Sequence, residues 1–296
     1  MRIVSLVPHA TELLFALGLG NQIIAVTHEC DYPPEALGLP RVTRDMLEPG
    51  LSSAEIDAAV RERTGNGLSI YELDSDVVRR LEPDLIVTQA LCPVCAVSYE
   101  DVAALARTLA RPPRVIALDP HTLGETLGDV RTLAEATGRR DAGVALIARI
   151  AGRIDRVRLA VRGAERPRVA AIEWFDPIYV AGHWTPQLIE LAGGEDVLGG
   201  PGEPSEQATW DTLRRAAPQI VVAIPCGYGA ARARLEAAGH AERLRETGAR
   251  RVVAVDAASY FSRPGPRLVD GLELLAAILH PDLAPRAPDQ ILEVAL

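Results

Sequence analysis

Leu81-Glu82-Pro83-Asp84-Leu85-Ile86-Val87 decides the fold, because a near copy, Ala216-Ala217-Pro218-Gln219-Ile220-Val221-Val222, stands in the second half of the chain. Each copy reads as a helix end, a proline that cannot continue the helix, and a short apolar run with the composition of a buried strand. Outward from this pair the matching continues. Arg2-Ile3-Val4-Ser5 resembles Arg168-Val169-Ala170-Ala171, and Arg114-Val115-Ile116-Ala117-Leu118-Asp119 resembles Arg251-Val252-Val253-Ala254-Val255-Asp256. Three matched elements in the same order predict two equivalent units. Residues 44–76 have no partner in the second half and read as an insertion.

Strand candidates at residues 2–7, 23–27, 85–88, 115–118, 169–172, 220–224 and 252–255 alternate with amphipathic helical stretches. That alternation is the pattern of parallel-sheet α/β structure. Ser52 with Glu55, and Thr122 with Glu125, read as helix starts, and Gly18 reads as a helix stop. Residues 122–165 differ: Val144, Ile147, Ile150, Ile154 and Leu159 fall mainly at helical spacing, Gly138 punctuates the run, and no strand interrupts it. The expected architecture is α/β, with two Rossmann-like lobes of parallel sheet joined by one long rigid helix. The N-terminal lobe is expected over 1–120, the connecting helical segment over 121–165, the C-terminal lobe over 166–285 and a tail over 286–296.

A chain of 296 residues exceeds what one core usually supports, which agrees with two lobes. Hydrophobic residues make up 48% and charged residues 24%, a globular balance. The net charge of −9, with arginines dispersed among acids, argues against a nucleic-acid partner. No apolar run reaches the roughly 20 residues of a membrane span, so membrane insertion is not expected. Met1-Arg2 runs directly into the first strand without the profile of a secretory leader, so a cytoplasmic protein is expected.

Ligands of open parallel sheets bind outside the carboxyl ends of the strands. All four cysteines and three of the six histidines follow strand candidates in this way. So do most of the aromatic residues, which are only 4% of the chain. The loops contribute Pro8 and His9, then His28, Glu29, Cys30 and Tyr32, then Gln89 and Cys92. In the second half they contribute Trp174, Phe175, Tyr179, Trp184, Cys226, Tyr260, Phe261 and Arg263. Flat apolar walls with a few polar groups describe a small-molecule site in a cleft. Taken singly, a buried Cys or Trp is most often core.

Cys92-Pro93-Val94-Cys95 follows a strand and precedes a helix, where the helix dipole favours thiolate. This arrangement suits a redox dithiol or half of a metal site. With His28 and Cys30 it could complete a metal centre of His28, Cys30, Cys92 and Cys95 if the loops converge. Passive lining, metal ligation and dithiol chemistry all stay open on these residues alone. No glycine-rich phosphate loop and no Gly-x-Ser-x-Gly elbow is present.

Ser5-Leu6-Val7-Pro8-His9-Ala10-Thr11-Glu12, Asp31-Tyr32-Pro33-Pro34-Glu35-Ala36, Glu190-Leu191-Ala192-Gly193-Gly194-Glu195-Asp196-Val197 and Gly265-Pro266-Arg267-Leu268 resemble segments of one family. They are similar to the vitamin B12-binding and iron-chelate-type substrate-binding proteins of ABC importers, in a branch without a signal. The resemblance runs from about Met1 to His280. It implies two lobes, a non-catalytic protein, cobalamin or a related corrinoid in the inter-lobe cleft, and ABC transporter components as partners. It also implies that Tyr260, Phe261, Arg263 and Tyr179 line the ligand, with Arg263 on an amide or phosphate. Three family aromatics are absent: one is replaced by Glu29, one by the Gln89–Cys92 stretch and one is missing near Ser205. The alternatives are a thiolate and histidine carrier of metal or haem, and a dithiol redox protein.

Overall fold

The computed structural model of the chain describes residues 1–90, 96–284, 287 and 289–296. It divides into two compact units, residues 1–120 with 125–147, and residues 121–124 with 148–296.

The first unit is built on β1 (Ile3–Ser5), α1 (Pro8–Ala16), β2 (Ile23–Ala25), β3 (Thr43–Asp45), α2 (Ser53–Gly65) and β4 (Tyr71–Leu73). α3 (Ser75–Leu81), β5 (Leu85–Gln89), α4 (Tyr99–Thr108), β6 (Arg114–Leu118), α5 (Leu123–Ala136) and the start of α6 (Arg140–Ala160) follow. Its main sheet runs β2-β1-β5-β6, all parallel, with Ile3 opposite Leu85 and Ile86 opposite Val115. Ile3, Val4, Ile86 and Val87 have no exposed surface, as expected of strands covered on both faces. Residues 43–73 form a separate antiparallel pair, β3 with β4, spanned by α2, whose start is the Ser52–Glu55 capping box expected from sequence.

The second unit contains β7 (Arg168–Phe175), β8 (Ile178–Val180), α7 (Thr185–Leu191), β9 (Glu195–Asp196), β10 (Glu206–Gln207) and α8 (Trp210–Ala216). β11 (Ile220–Ala223), α9 (Ala230–Gly239), α10 (Ala241–Glu246), β12 (Arg251–Ala254), α11 (Ala257–Tyr260), α12 (Leu268–Leu279) and β13 (Leu292–Glu293) complete it. Its parallel core is β9-β7-β11-β12, the counterpart of β2-β1-β5-β6. β8, β10 and β13 add antiparallel strands, so this sheet is mixed rather than parallel throughout. All seven strand candidates are found.

The stretch that decides the fold makes the same corner twice. α3 ends on Glu82 and α8 on Ala217, both left-handed at φ 41 and 43, each followed by proline. The Arg2 N–H donates to Asp84 Oδ2 at 2.7 Å, and the Arg168 N–H to Gln219 Oε1 at 2.8 Å. The Arg2 guanidinium donates to the Leu81 carbonyl and that of Arg168 to the Ala216 carbonyl, each at 2.7 Å. Each arginine thereby satisfies a last-turn carbonyl that the helix leaves without an internal donor.

The connecting segment is helical, with its turn at the glycine expected from sequence. It holds two helices, α5 and α6, turning at Gly138 (φ 70), where Arg139 N–H donates to the Ala134 carbonyl at 2.7 Å. A Cβ at Gly143 would lie 2.6 Å from Ala134 Cβ, so this glycine sets how closely α6 approaches α5. α6 contributes to both units, the division falling after Ile147. In the second unit Arg153 of α6 clamps α12, donating to Glu273 Oε1 at 2.8 Å and to Asp270 Oδ1 at 2.5 Å. The Glu273 bond, followed by Asp270, raises the Arg153 pKa and keeps it charged although burial opposes this. Within residues 286–296, β13 pairs with β12 through Val253 opposite Glu293.

Candidate functional site

The carboxyl ends of β7, β11 and β12 and the β8 segment carry the second half's share of the residues expected to meet a ligand. At the end of β7 the pairing with β8 slips. Ile172 faces Val180 and Trp174 faces Tyr179, so Glu173 is an extra residue on its strand. Such a β-bulge bends the strand and re-aims side chains, and bulges concentrate next to functional sites. The Glu173 carbonyl accepts the Cys226 N–H at 3.1 Å, tying the loop after β11 to the bulge.

The Glu173 carboxyl sits deep at this tip. Its Oε2 accepts a hydrogen bond from Ser205 Oγ at 2.5 Å, and Ser205 Oγ in turn accepts the Gly182 N–H at 3.2 Å. Only glycine permits that approach at position 182, because a Cβ there would stand 2.4 Å from the Pro204 carbonyl carbon and 2.5 Å from the Ser205 nitrogen. Burial pushes the Glu173 pKa up to about 7, against the pull of the Ser205 bond.

Aromatic groups flank this carboxyl's strand. Trp174 packs on Tyr228 with ring centroids 5.5 Å apart, and Arg232 lies 3.7 Å over the Tyr228 ring. Tyr179, opposite Trp174, is half-buried. After β12, Tyr260 donates to Asp289 Oδ2 at 3.2 Å. Burial, then the Asp289 charge, raise the Tyr260 pKa to about 12. Arg263 is half-buried in the same loop.

Other expected site residues are structural. Phe175 is buried and stacks on His240 at 5.4 Å, within the core that holds Trp210. Trp184 is buried and its indole donates to the Phe261 carbonyl at 2.8 Å. Phe261 itself is 2% exposed, so this pair shapes the tip from inside instead of facing a ligand. Cys226 is exposed.

The first unit's tips are built from hydroxyls. Cys30 is 1% exposed, with Sγ 3.1 Å from Thr11 Oγ1 and 3.2 Å from Thr27 Oγ1. Arg41 donates to the carbonyls of both Thr27 and Cys30 at 2.7 Å. These bonds turn the thiol inward, which corrects the expectation that Cys30 faces a ligand or metal. His28 is half-buried, with Nδ1 2.8 Å from Thr43 Oγ1 and its ring 5.3 Å from Tyr71. The Tyr71 hydroxyl donates to Glu29 Oε1 at 3.2 Å, so the insertion grips the His28–Glu29 loop. Pro8 is half-buried at the start of α1, while His9 and Gln89 are buried and Tyr32 is exposed.

Cys92 and Cys95 lie outside the described residues. Among the described residues no group of three or more His, Cys, Asp or Glu side chains is arranged to hold a metal ion. A hollow of about 670 Å³ between the insertion and α4, lined by Arg44, Met46, Arg63, Tyr71, Arg79 and Leu105, contains none of the expected site residues.

Glu173, Ser205, Thr43 and Tyr71 were not anticipated as site residues. The signal for Glu173 was a single acid in the apolar run Val169-Ala170-Ala171-Ile172-Glu173-Trp174-Phe175. It is hidden if the strand is taken to stop at Ile172.

The matched lobes, each with its loops at the carboxyl edge of a parallel sheet, define a two-lobed substrate-binding protein. The chain belongs to the periplasmic binding protein family, whose profile matches residues 3–247. It is 24% identical over 291 residues to the vitamin B12-binding protein of Vibrio cholerae, across 94% of this chain and 88% of that one. The crystal structure of the periplasmic vitamin B12-binding protein of Vibrio cholerae matches with a TM-score of 0.66 at 24% identity, over 94% of this chain and 96% of that one. A periplasmic haem-binding protein from Pseudomonas aeruginosa matches with a TM-score of 0.75 at 18% identity, over 100% and 98%. This membership overturns the expectation of a cytoplasmic protein, since the family and these relatives are periplasmic binding proteins. No helix among the described residues is long and apolar enough to cross a membrane.

Proposed function

We propose that the protein binds one small tetrapyrrole-type ligand, cobalamin or a related corrinoid, and delivers it to ABC transporter components without chemically changing it. The observation that carries this reading is the tip of β7. There a bulge sets the half-buried Glu173 carboxyl on the same strand end as Trp174, which pairs with Tyr179, and this supports a plan of flat walls plus few polar groups that such ligands need. The similarity to vitamin B12-binding proteins supports the corrinoid, and Arg263 is the group assigned to an amide or phosphate of the ligand.

The likeness to haem-binding structures supports a second reading, in which the ligand is haem. The reading of a metal centre that includes Cys30 has less support, because the Cys30 sulfur is engaged with two hydroxyls inside the lobe. Purified protein titrated separately with cyanocobalamin and haemin should show a shifted absorption band and calorimetric heat with the former. Unchanged spectra and no heat with cyanocobalamin would remove the corrinoid reading.

A further inference from the structure

The geometry points to Glu173 as the residue that selects between ligand edges, accepting a tetrapyrrole rim that carries neutral amides and rejecting one that carries carboxylates. The inference rests on the tetrapyrrole-binding reading and names the chemistry that decides within it. Three observations converge. The bulge inserts Glu173 as an extra residue at the strand's carboxyl end, where ligands of open sheets bind. Its carboxyl is held in one orientation by Ser205, which is itself fixed by the Gly182 N–H. Trp174, the next residue along the strand, packs on the buried Tyr228 and is itself only half-buried, which leaves part of its indole open at this strand end.

A corrinoid rim bears acetamide and propionamide groups, whereas haem bears ionised propionates. A primary amide both donates and accepts, and a carboxyl can answer it in either protonation state, as acceptor when ionised and as donor and acceptor when neutral. A propionate facing the ionised group meets a like charge, whereas the neutral group could donate to it, so the rejection acts above a pH of about 7, where Glu173 is ionised and where the comparison is made. The partial burial that raises this carboxyl's pKa also strengthens such discrimination, because charges in a dry site are poorly screened. Among the described residues the hydrogen bond to the Glu173 carboxyl comes from the neutral Ser205 hydroxyl, which does not reverse the preference.

The test uses two ligands with one macrocycle, cobinamide with its amides and cobyrinic acid with carboxylates in their place. Tryptophan quenching gives both dissociation constants for the full chain, for Glu173→Gln and for Ser205→Ala, each first checked for a cooperative melt. The native protein should prefer cobinamide by roughly 30-fold or more, the scale of discrimination when a buried polar group must be left unmatched. Glu173→Gln should tighten cobyrinic acid and shrink the preference to about threefold or less, with cobinamide nearly unchanged. Ser205→Ala should weaken cobinamide about fivefold by releasing the carboxyl from its orientation, and it serves as the decisive variant if Glu173→Gln fails to fold. A preference that stays the same in a folded Glu173→Gln, or in Ser205→Ala when that variant decides, overturns the inference while leaving tetrapyrrole binding intact. Absence of binding of either ring to the native protein overturns the functional reading and the selection with it.

Discussion

The two lobes share a skeleton and differ at its tips. At the amino ends of the sheets they are built alike: an arginine on the first strand bonds the last turn of a helix, that helix ends left-handed before a proline, and an acid or amide side chain receives the arginine's own N–H. At the carboxyl ends they diverge. The N-terminal lobe ties Thr11, Thr27 and Cys30 into a hydroxyl–thiol knot and braces His28 with an inserted hairpin. The C-terminal lobe bulges its strand, holds a carboxyl there with Ser205 and packs Trp174 on Tyr228. Hydrogen bonds to backbone leave little freedom to vary, so the ends that make the fold repeat, while the loop-bearing ends are released to specialise.

The largest effect that tests this contrast is at the tips. Trp184→Ala removes a buried indole and should destabilise the protein by about 3–5 kcal/mol, whereas Cys30→Ala should cost about 1 kcal/mol, because Thr11 keeps its bond to Ser5 and Thr27 keeps the Glu29 N–H. Urea denaturation measures both, and the reverse ranking would mean that the hydroxyl knot, not the aromatic anchor, is the stronger construction.

Next is a pH effect that separates one carboxyl in each lobe. Glu173 and Asp129 both have pKa values raised to about 7, the first by burial alone, the second by burial and then by the Asp119 and Glu125 charges. A carboxyl whose native pKa exceeds its unfolded value binds its proton more tightly when folded. The stability it contributes is therefore full below its ordinary value and is lost as pH rises through about 7. Glu173→Gln should abolish a loss of about 2 kcal/mol between pH 5 and 8, with little change on adding salt. Asp129→Asn should flatten the same window less in high salt than in low, because its like-charge repulsion is screened. Melting temperatures across pH at two salt concentrations decide this, and identical salt responses would erase the distinction.

The smallest effect addresses the shared corner. Glu82→Gly and Ala217→Gly each relieve a left-handed residue and should stabilise by a similar ~0.5–1 kcal/mol. Gains that differ by more than the whole of the smaller one would show that the two corners, despite equal angles, carry unequal strain.

The repeated skeleton was legible because its signals are local: apolar runs, a proline and an arginine at fixed places. The fourth correspondence was not seen in the sequence. α1 and α7 both close on a left-handed glycine, Gly18 and Gly193, with Leu19 N–H bonding the Leu14 carbonyl and Gly194 N–H the Ile189 carbonyl. Backbone bonds make that match, and two glycines alone do not distinguish it from any other turn. β8, β10 and β13 span only two or three residues, too short for a period to show. The loops after the strands are legible in the sequence, but the directions of their side chains are not. Cys30 and Phe175 sit at strand tips yet turn into the core, because neighbouring hydroxyls in one case and a stacked histidine in the other claim them. The Glu173 bulge depends on the pairing of two strands and so has no signature in either strand alone.

Gly182 is not one of the expected ligand residues, yet its bare Cα lets the 203–205 segment lie against the chain and bring Ser205 to Glu173. In a library sampling every residue at every position, this site would score as intolerant in a binding selection. A reader of that map alone would place it in the pocket, although its part is to leave room for the residue that holds the carboxyl.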